Sequence, residues 1–162
     1  MCGIAGIIHR GKVVDIGTEM QGMLQALKHR GPDSTGYALY GEGSQGDYIL
    51  RFKVGENVKE GSSAANEEKS VYDNRRKEVD SYIREMGADI LQDKQLTPYS
   101  FRYIIKYDKD LMEFSKKIES VEMTEILSLG KTLELVKDIG DAGVVSKQYE
   151  LDKIKGTHAI GH

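Results

Sequence analysis

Glycine is spread unevenly along this 162-residue chain. Ten of its 18 glycines fall in the first 46 residues, and most of the remaining chain reads as charged, amphipathic sequence. Glycine weakens helices and strands unless a turn or a close backbone approach needs it, so the first segment must turn tightly and pack closely. The shift in composition suggests two regions, 1–54 and the stretch after it; the chain is read as 1–54, an inserted subdomain over 55–145, and a return to the first region over 146–162. The length suits a single domain burying on the order of two thirds of its unfolded surface. A net charge of −3, with the basic residues dispersed, leaves no footprint for nucleic acid or an anionic membrane, and neither partner is expected. The longest apolar run, Ile4 to Ile8, is too short to span a bilayer or serve as a signal peptide, which predicts a cytoplasmic protein. A lone cysteine rules out internal disulfides and cysteine-cluster metal sites.

Local patterns predict an α+β chain. Cys2 to His9 reads as a strand. A helix comes next, opened by a Thr18–Gln21 capping box, with Met20, Met23, Leu24 and Leu27 on one core-facing stripe, and closed at Gly31-Pro32. Gly36 to Tyr40 and Asp47 to Val54 read together as a hairpin. Asn66 to Met86 reads as a solvated surface helix with a thin apolar stripe of Tyr72, Val79, Ile83 and Met86. Beyond Ser100 the pattern is a strand (101–107), a helix (110–118), a strand (121–129) and helical sequence (131–139), as in a β-α-β unit. Ser146 to Lys155 reads as helical and Thr157 to His162 as strand.

Two glycine motifs lack the context their chemistry needs. Gly41 to Gly46 matches G-x-G-x-x-G, but β-type residues come after it, whereas a pyrophosphate site requires a helix start. Gly130-Lys131-Thr132 resembles the end of a phosphate loop, but Glu125 stands where that loop needs glycine. The histidines at 9, 29, 158 and 162 form no helical pair, so no metal site is expected, and no cofactor is implied.

Cys2 carries chemistry that Met1 conceals. Removal of Met1 leaves cysteine at the amino terminus, where its α-amine, with a pKa of roughly 8, can activate the thiol of the same residue. One residue then supplies both nucleophile and base. Gly3, Ala5 and Gly6 beside it are small enough for a substrate to approach the backbone.

Three segments give this feature a family context: Met1-Cys2-Gly3-Ile4-Ala5-Gly6-Ile7, His29-Arg30-Gly31-Pro32-Asp33-Ser34-Thr35-Gly36 and Gly156-Thr157-His158-Ala159-Ile160-Gly161-His162. In kind and order they resemble the signatures of the class II glutamine amidotransferases, which are amino-terminal nucleophile hydrolases. The resemblance covers about 22 residues. It implies an αββα Ntn-hydrolase sandwich, here its amino-terminal part with an inserted β-α-β subdomain. It also implies Cys2 as the catalytic nucleophile, glutamine as substrate, and an ammonia-accepting synthase domain or subunit as partner, with homo-oligomerisation left open. Arg30, Gly31, Asp33 and Ser34 would form the turn behind the nucleophile. With Gly161 and His162 they complete the expected substrate-binding and supporting residues, Arg30 and Asp33 chiefly fixing loop geometry. The long insertion makes the chain most similar to the stand-alone amidotransferase subunit related to the glutamate synthase glutaminase domain, which points to glutamate synthesis.

In the family, an arginine after the third signature, an asparagine-glycine oxyanion hole and an aspartate for the α-amino group complete the site. These positions lie outside the 162 residues, so the chain reads as part of an active site and is expected to be inactive alone, each missing oxyanion donor costing a few kcal/mol in the transition state. The competing expectation is a non-catalytic regulatory or assembly module with an amidotransferase-like start.

Overall fold

The computed structural model describes residues 3–28, 34–44, 46–56 and 65–162. In chain order the elements are β1 (Ala5–Ile8), α1 (Ile16–Ala26), β2 (Ser34–Gly41), β3 (Tyr48–Lys53), α2 (Ala65–Glu85), β4 (Asp89–Gln95), β5 (Ser100–Lys106), α3 (Leu111–Ile118), β6 (Glu125–Gly130), β7 (Leu133–Ile139), α4 (Ala142–Gln148), a 3-10 turn (Leu151–Lys153) and β8 (Gly156–Gly161). The fold is α+β, as the sequence predicts, with two four-stranded antiparallel sheets among the described residues. Their strand orders are β1-β8-β2-β7 and β4-β5-β3-β6.

The second sheet is built from β3-α2-β4-β5-α3-β6 in unbroken succession. In the order of this unit its strands lie 2-3-1-4, all antiparallel to their neighbours, which is the split β-α-β arrangement of ferredoxin-like folds. The β5-α3-β6 segment read from sequence as a β-α-β unit is one half of it, with β3 lying between the two strands. Sheet membership therefore cuts across the three stretches drawn from composition. The inserted sheet starts at Tyr48, inside 1–54, and ends at Gly130, while β7, inside 55–145, belongs to the first sheet.

Strand β3 is buried on both faces. Leu50 and Phe52 point into a core with Phe101, Tyr103, Val79, Ile83 and Phe114, and Phe52 stacks on Phe101 with ring centroids 5.2 Å apart. Its opposite face carries Ile49 and Arg51, buried too. The charged helix α2 is solvated on one side only, because Tyr72, Val79 and Ile83 are buried in this core. Fully burying each of the two aliphatic side chains contributes about 1.5–3 kcal/mol. Helix α3 has a clear start: Asp110 accepts hydrogen bonds from the amides of Met112 (2.6 Å) and Glu113 (3.1 Å).

Four expectations are corrected. The predicted hairpin of β2 and β3 does not form: β2 pairs with β7 and β8, β3 with β5 and β6, because the connection carries the chain from one sheet to the other. Residues 131–139, expected to be helical, form the connection at 131–132 and then β7, whose inward face carries Glu134 beside Val136, a buried charge that breaks the apolar alternation of a strand. Helix α1 starts three residues before the expected box, with Asp15 at the N-cap, and the Thr18 hydroxyl donates instead to the carbonyl of Asp152 at 3.2 Å. The helix expected over 146–155 divides into the end of α4, which starts at Ala142, and the 3-10 turn. The core role of the α1 stripe holds: Ile16, Met20 and Leu24 are buried against Tyr37, Leu39, Val136 and Ala159 of the first sheet.

Candidate functional site

In the first sheet β8 lies between β1 and β2, antiparallel to both, so β1 and β2 start at the end where β8 finishes. The start of β1, the start of β2 and the last residues of the third segment, Gly161 and His162, meet there. Ala5 lies opposite Gly161 on one side and Tyr37 opposite Gly161 on the other. Two backbone hydrogen bonds close the junction: the Gly36 amide donates to the His162 carbonyl (2.9 Å), and the His162 amide donates to the Gly36 carbonyl (3.1 Å).

The glycines here are required by close approach. A Cβ on Gly36 would lie 2.8 Å from Nε2 of His162, so the imidazole occupies the space that a side chain would take. A Cβ on Gly161 would lie 2.7 Å from Cδ1 of Leu24 and 2.9 Å from the Gly36 carbonyl oxygen, so this glycine lets α1 seat against the sheet. Ile4, Gly36, Gly161 and His162 border a cavity of about 340 Å³, with Ile160 and Leu135 adding apolar wall. That volume lies at the lower end of the range for small-molecule pockets.

The start of β2 is fixed from the far side of the sheet. Ser34 lies opposite Ile139 of β7, the Thr35 hydroxyl donates to the Gly140 carbonyl (2.7 Å), and the Tyr37 hydroxyl donates to the Ala142 carbonyl (2.7 Å). Burial, with Asp141 adding repulsion, pushes the Tyr37 phenol well above its usual range, so it remains a neutral donor. Beside Thr35, Asp138 accepts from the hydroxyls of Tyr99 (2.5 Å) and Tyr149 (2.8 Å), a link from β7 to residues far away in sequence.

Of the residues singled out from sequence, Ser34, Gly161 and His162 lie at this end of the sheet, whereas Cys2, Arg30, Gly31 and Asp33 fall outside the described residues. Gly36 and Ile4 join the site through packing; Gly36 belongs to the second signature, and its spacing from Ser34 along a strand is the signal that could have singled it out. His158 sits elsewhere. It stacks on Tyr40 at 4.0 Å, and four strand residues place its Cα about 13 Å from that of His162. His9 pairs with Glu19 at 2.6 Å. Among the described residues, the G-x-G-x-x-G segment leads from the end of β2 toward β3 with no helix start, and Lys131-Thr132 links β6 to β7, so neither supports a phosphate cradle.

No family model matches the chain. It is 32% identical over 167 aligned residues to a protein of Methanothermobacter thermautotrophicus named "Putative glutamine amidotransferase". The alignment takes in the whole of this chain and 51% of that relative, so the chain spans about half the length of the curated protein it matches. No helix among the described residues is long and apolar enough to cross a membrane.

Proposed function

We propose that this chain is the nucleophile-bearing part of a class II glutamine amidotransferase, with Cys2 at its amino terminus after removal of Met1. The observation that supports this reading is that parts of three segments distant in sequence, Ala5, Ser34–Gly36 and Gly161–His162, lie at one end of the first sheet. Similarity along the whole of this chain, and about half of the relative, to a protein named as a putative glutamine amidotransferase supports the coarser part of this reading, glutamine amidotransfer.

In the proposed reaction the α-amine takes the thiol proton, directly or through water. The thiolate then attacks the side-chain carbonyl carbon of glutamine, forming a C–S bond. Collapse of the tetrahedral intermediate breaks the C–N bond, and the α-ammonium returns its proton to the departing ammonia. Water, activated by the same amine, then cleaves the γ-glutamyl thioester, giving glutamate and the free thiol. Ammonia passes to a synthase domain or subunit, and the proposed product is glutamate. Arg30, Gly31, Asp33 and Ser34 are assigned to the turn behind the nucleophile, and Gly161 and His162 to the substrate side. The fold completed by the whole protein is an αββα sandwich, with the ferredoxin-like sheet as its insertion.

The test is ammonia and glutamate release from L-glutamine by the full-length protein with its partner. Release that Cys2→Ala abolishes, and that asparagine does not replace, supports the proposal. Equal release by the Cys2→Ala variant, or none by the wild type, overturns it in favour of a non-catalytic module.

A further inference from the structure

The two sheets face each other across a charged cluster that the proposed glutaminase chemistry does not use. Arg51 of β3 projects toward the first sheet with its side chain only 2% exposed, and its Nε donates to Glu134 of β7 at 2.7 Å. Arg102 of β5 grips the same carboxylate with two donors, Nε at 2.7 Å and Nη2 at 2.9 Å. Glu134 therefore serves two guanidinium groups. Nη1 of Arg51, shielded from solvent, has no hydrogen-bond partner among the described residues. A buried charged donor left in this state is more destabilising than a neutral one.

Both arginines border a cavity of about 170 Å³ that reaches the segment after α4. Its rim adds Lys94 of β4 and Lys153 of the 3-10 turn, and the carboxylate of Glu150 pairs with both lysines, with Lys153 at 3.4 Å. Four cations thus surround the cavity against two carboxylates, Glu134 and Glu150, and two positive charges have no counterpart. Opposite charge raises affinity most where water is largely excluded.

We infer that this cavity is a binding site for a compact dianion bearing carboxylate or phosphate oxygens. Its charge matches the uncompensated charge of the lining; the ammonium groups of Lys94 and Lys153 on the rim supply donors of the kind that recognise such oxygens, and the buried Arg51 adds positive charge behind them. The volume falls below the ~300 Å³ at which pockets for drug-sized ligands begin, which suits a small anion better than a nucleotide. The ligand would contact β3, β4 and β5 of the inserted sheet together with the segment that returns the chain to β8, so its binding ties the insertion to the first sheet. This site is independent of Cys2.

The test is calorimetric titration of the full chain with inorganic phosphate and, separately, with succinate, each against chloride at matched ionic strength. Saturable one-to-one binding of either anion is expected, with phosphate or dicarboxylate chemistry identified by which binds tighter. Lys153→Ala, at a largely exposed side chain, should weaken it about tenfold or more, while Lys116→Ala, on the exposed face of α3, leaves it unchanged. Failure of both anions to saturate the protein, or equal affinities in the Lys153→Ala and Lys116→Ala variants, overturns the assignment.

Discussion

Replacing Glu134 tests how the two sheets are held together. Its carboxylate accepts three hydrogen bonds from two guanidinium groups and is 4% exposed. Burial alone would raise its pKa, but the hydrogen bonds and charges of Arg102 and Arg51 outweigh burial and hold it below the usual carboxylate range. In Glu134→Leu, Arg102 can turn toward water, being about a quarter exposed, whereas Arg51 cannot and is left as an uncompensated buried cation. Breaking a buried pair from one side typically costs about 3–5 kcal/mol. For a chain of this length that lowers Tm by on the order of 10 °C. The double variant Glu134→Leu/Arg51→Met removes the stranded charge as well and should recover most of the loss, because well-packed apolar replacements of buried pairs are often neutral. Urea unfolding of the wild type, both single variants and the double variant closes the cycle. Additive losses in the double variant, with no coupling between the two positions, would refute the reasoning.

Particular contacts carry the other expectations. Asp110→Ala removes the acceptor of two α3 amides and should cost about 1 kcal/mol in urea unfolding, whereas Asp110→Asn should retain most of the stability. Gly161→Ala forces a Cβ against the backbone of Gly36 and against Leu24 and should destabilise by about 1–3 kcal/mol. Gly36→Ala meets only the movable imidazole of His162, so it should cost less while visibly shifting that ring in NMR spectra. Hydrogen bonding from Lys28, then from the Val144 amide, lowers the Asp141 carboxyl to about 2, and Glu134 is lowered as well. Depressed folded-state values make these carboxylates stabilising above their unfolded pKa values near 4, and that contribution disappears as pH falls toward 2. Acid unfolding monitored by circular dichroism should therefore steepen between about pH 4 and 2, and Asp141→Asn should flatten part of that slope.

Much of the fold is legible where sequence and packing agree. The α1 stripe, the β5-α3-β6 run and the final strand all carry the apolar period of the element they form. The misreadings share a physical cause. Strand β4 is an edge strand rich in Asp, Lys and Gln, residues that protect an edge and hide it from any hydrophobic pattern. Strand β7 turns a glutamate inward, and that residue becomes intelligible only when Arg51 and Arg102 arrive from the other sheet. The absent hairpin has the same origin, because neighbours in sequence read as one sheet where the chain has already passed to the second. At the candidate site the family resemblance singles out Ser34, Gly161 and His162, and strand register brings them to one end of the sheet. The reciprocal fit of Gly36 and His162 depends on long-range pairing and is invisible until the strands are placed side by side.

The proposal that Cys2 acts as nucleophile on glutamine is tested most directly by intact-mass analysis of the full-length protein before and after treatment with a glutamine-mimicking diazo ketone. Loss of Met1 and a single stoichiometric adduct on Cys2, suppressed by excess glutamine, is the predicted result. Retained Met1, or no adduct on correctly folded protein with its partner present, would contradict it.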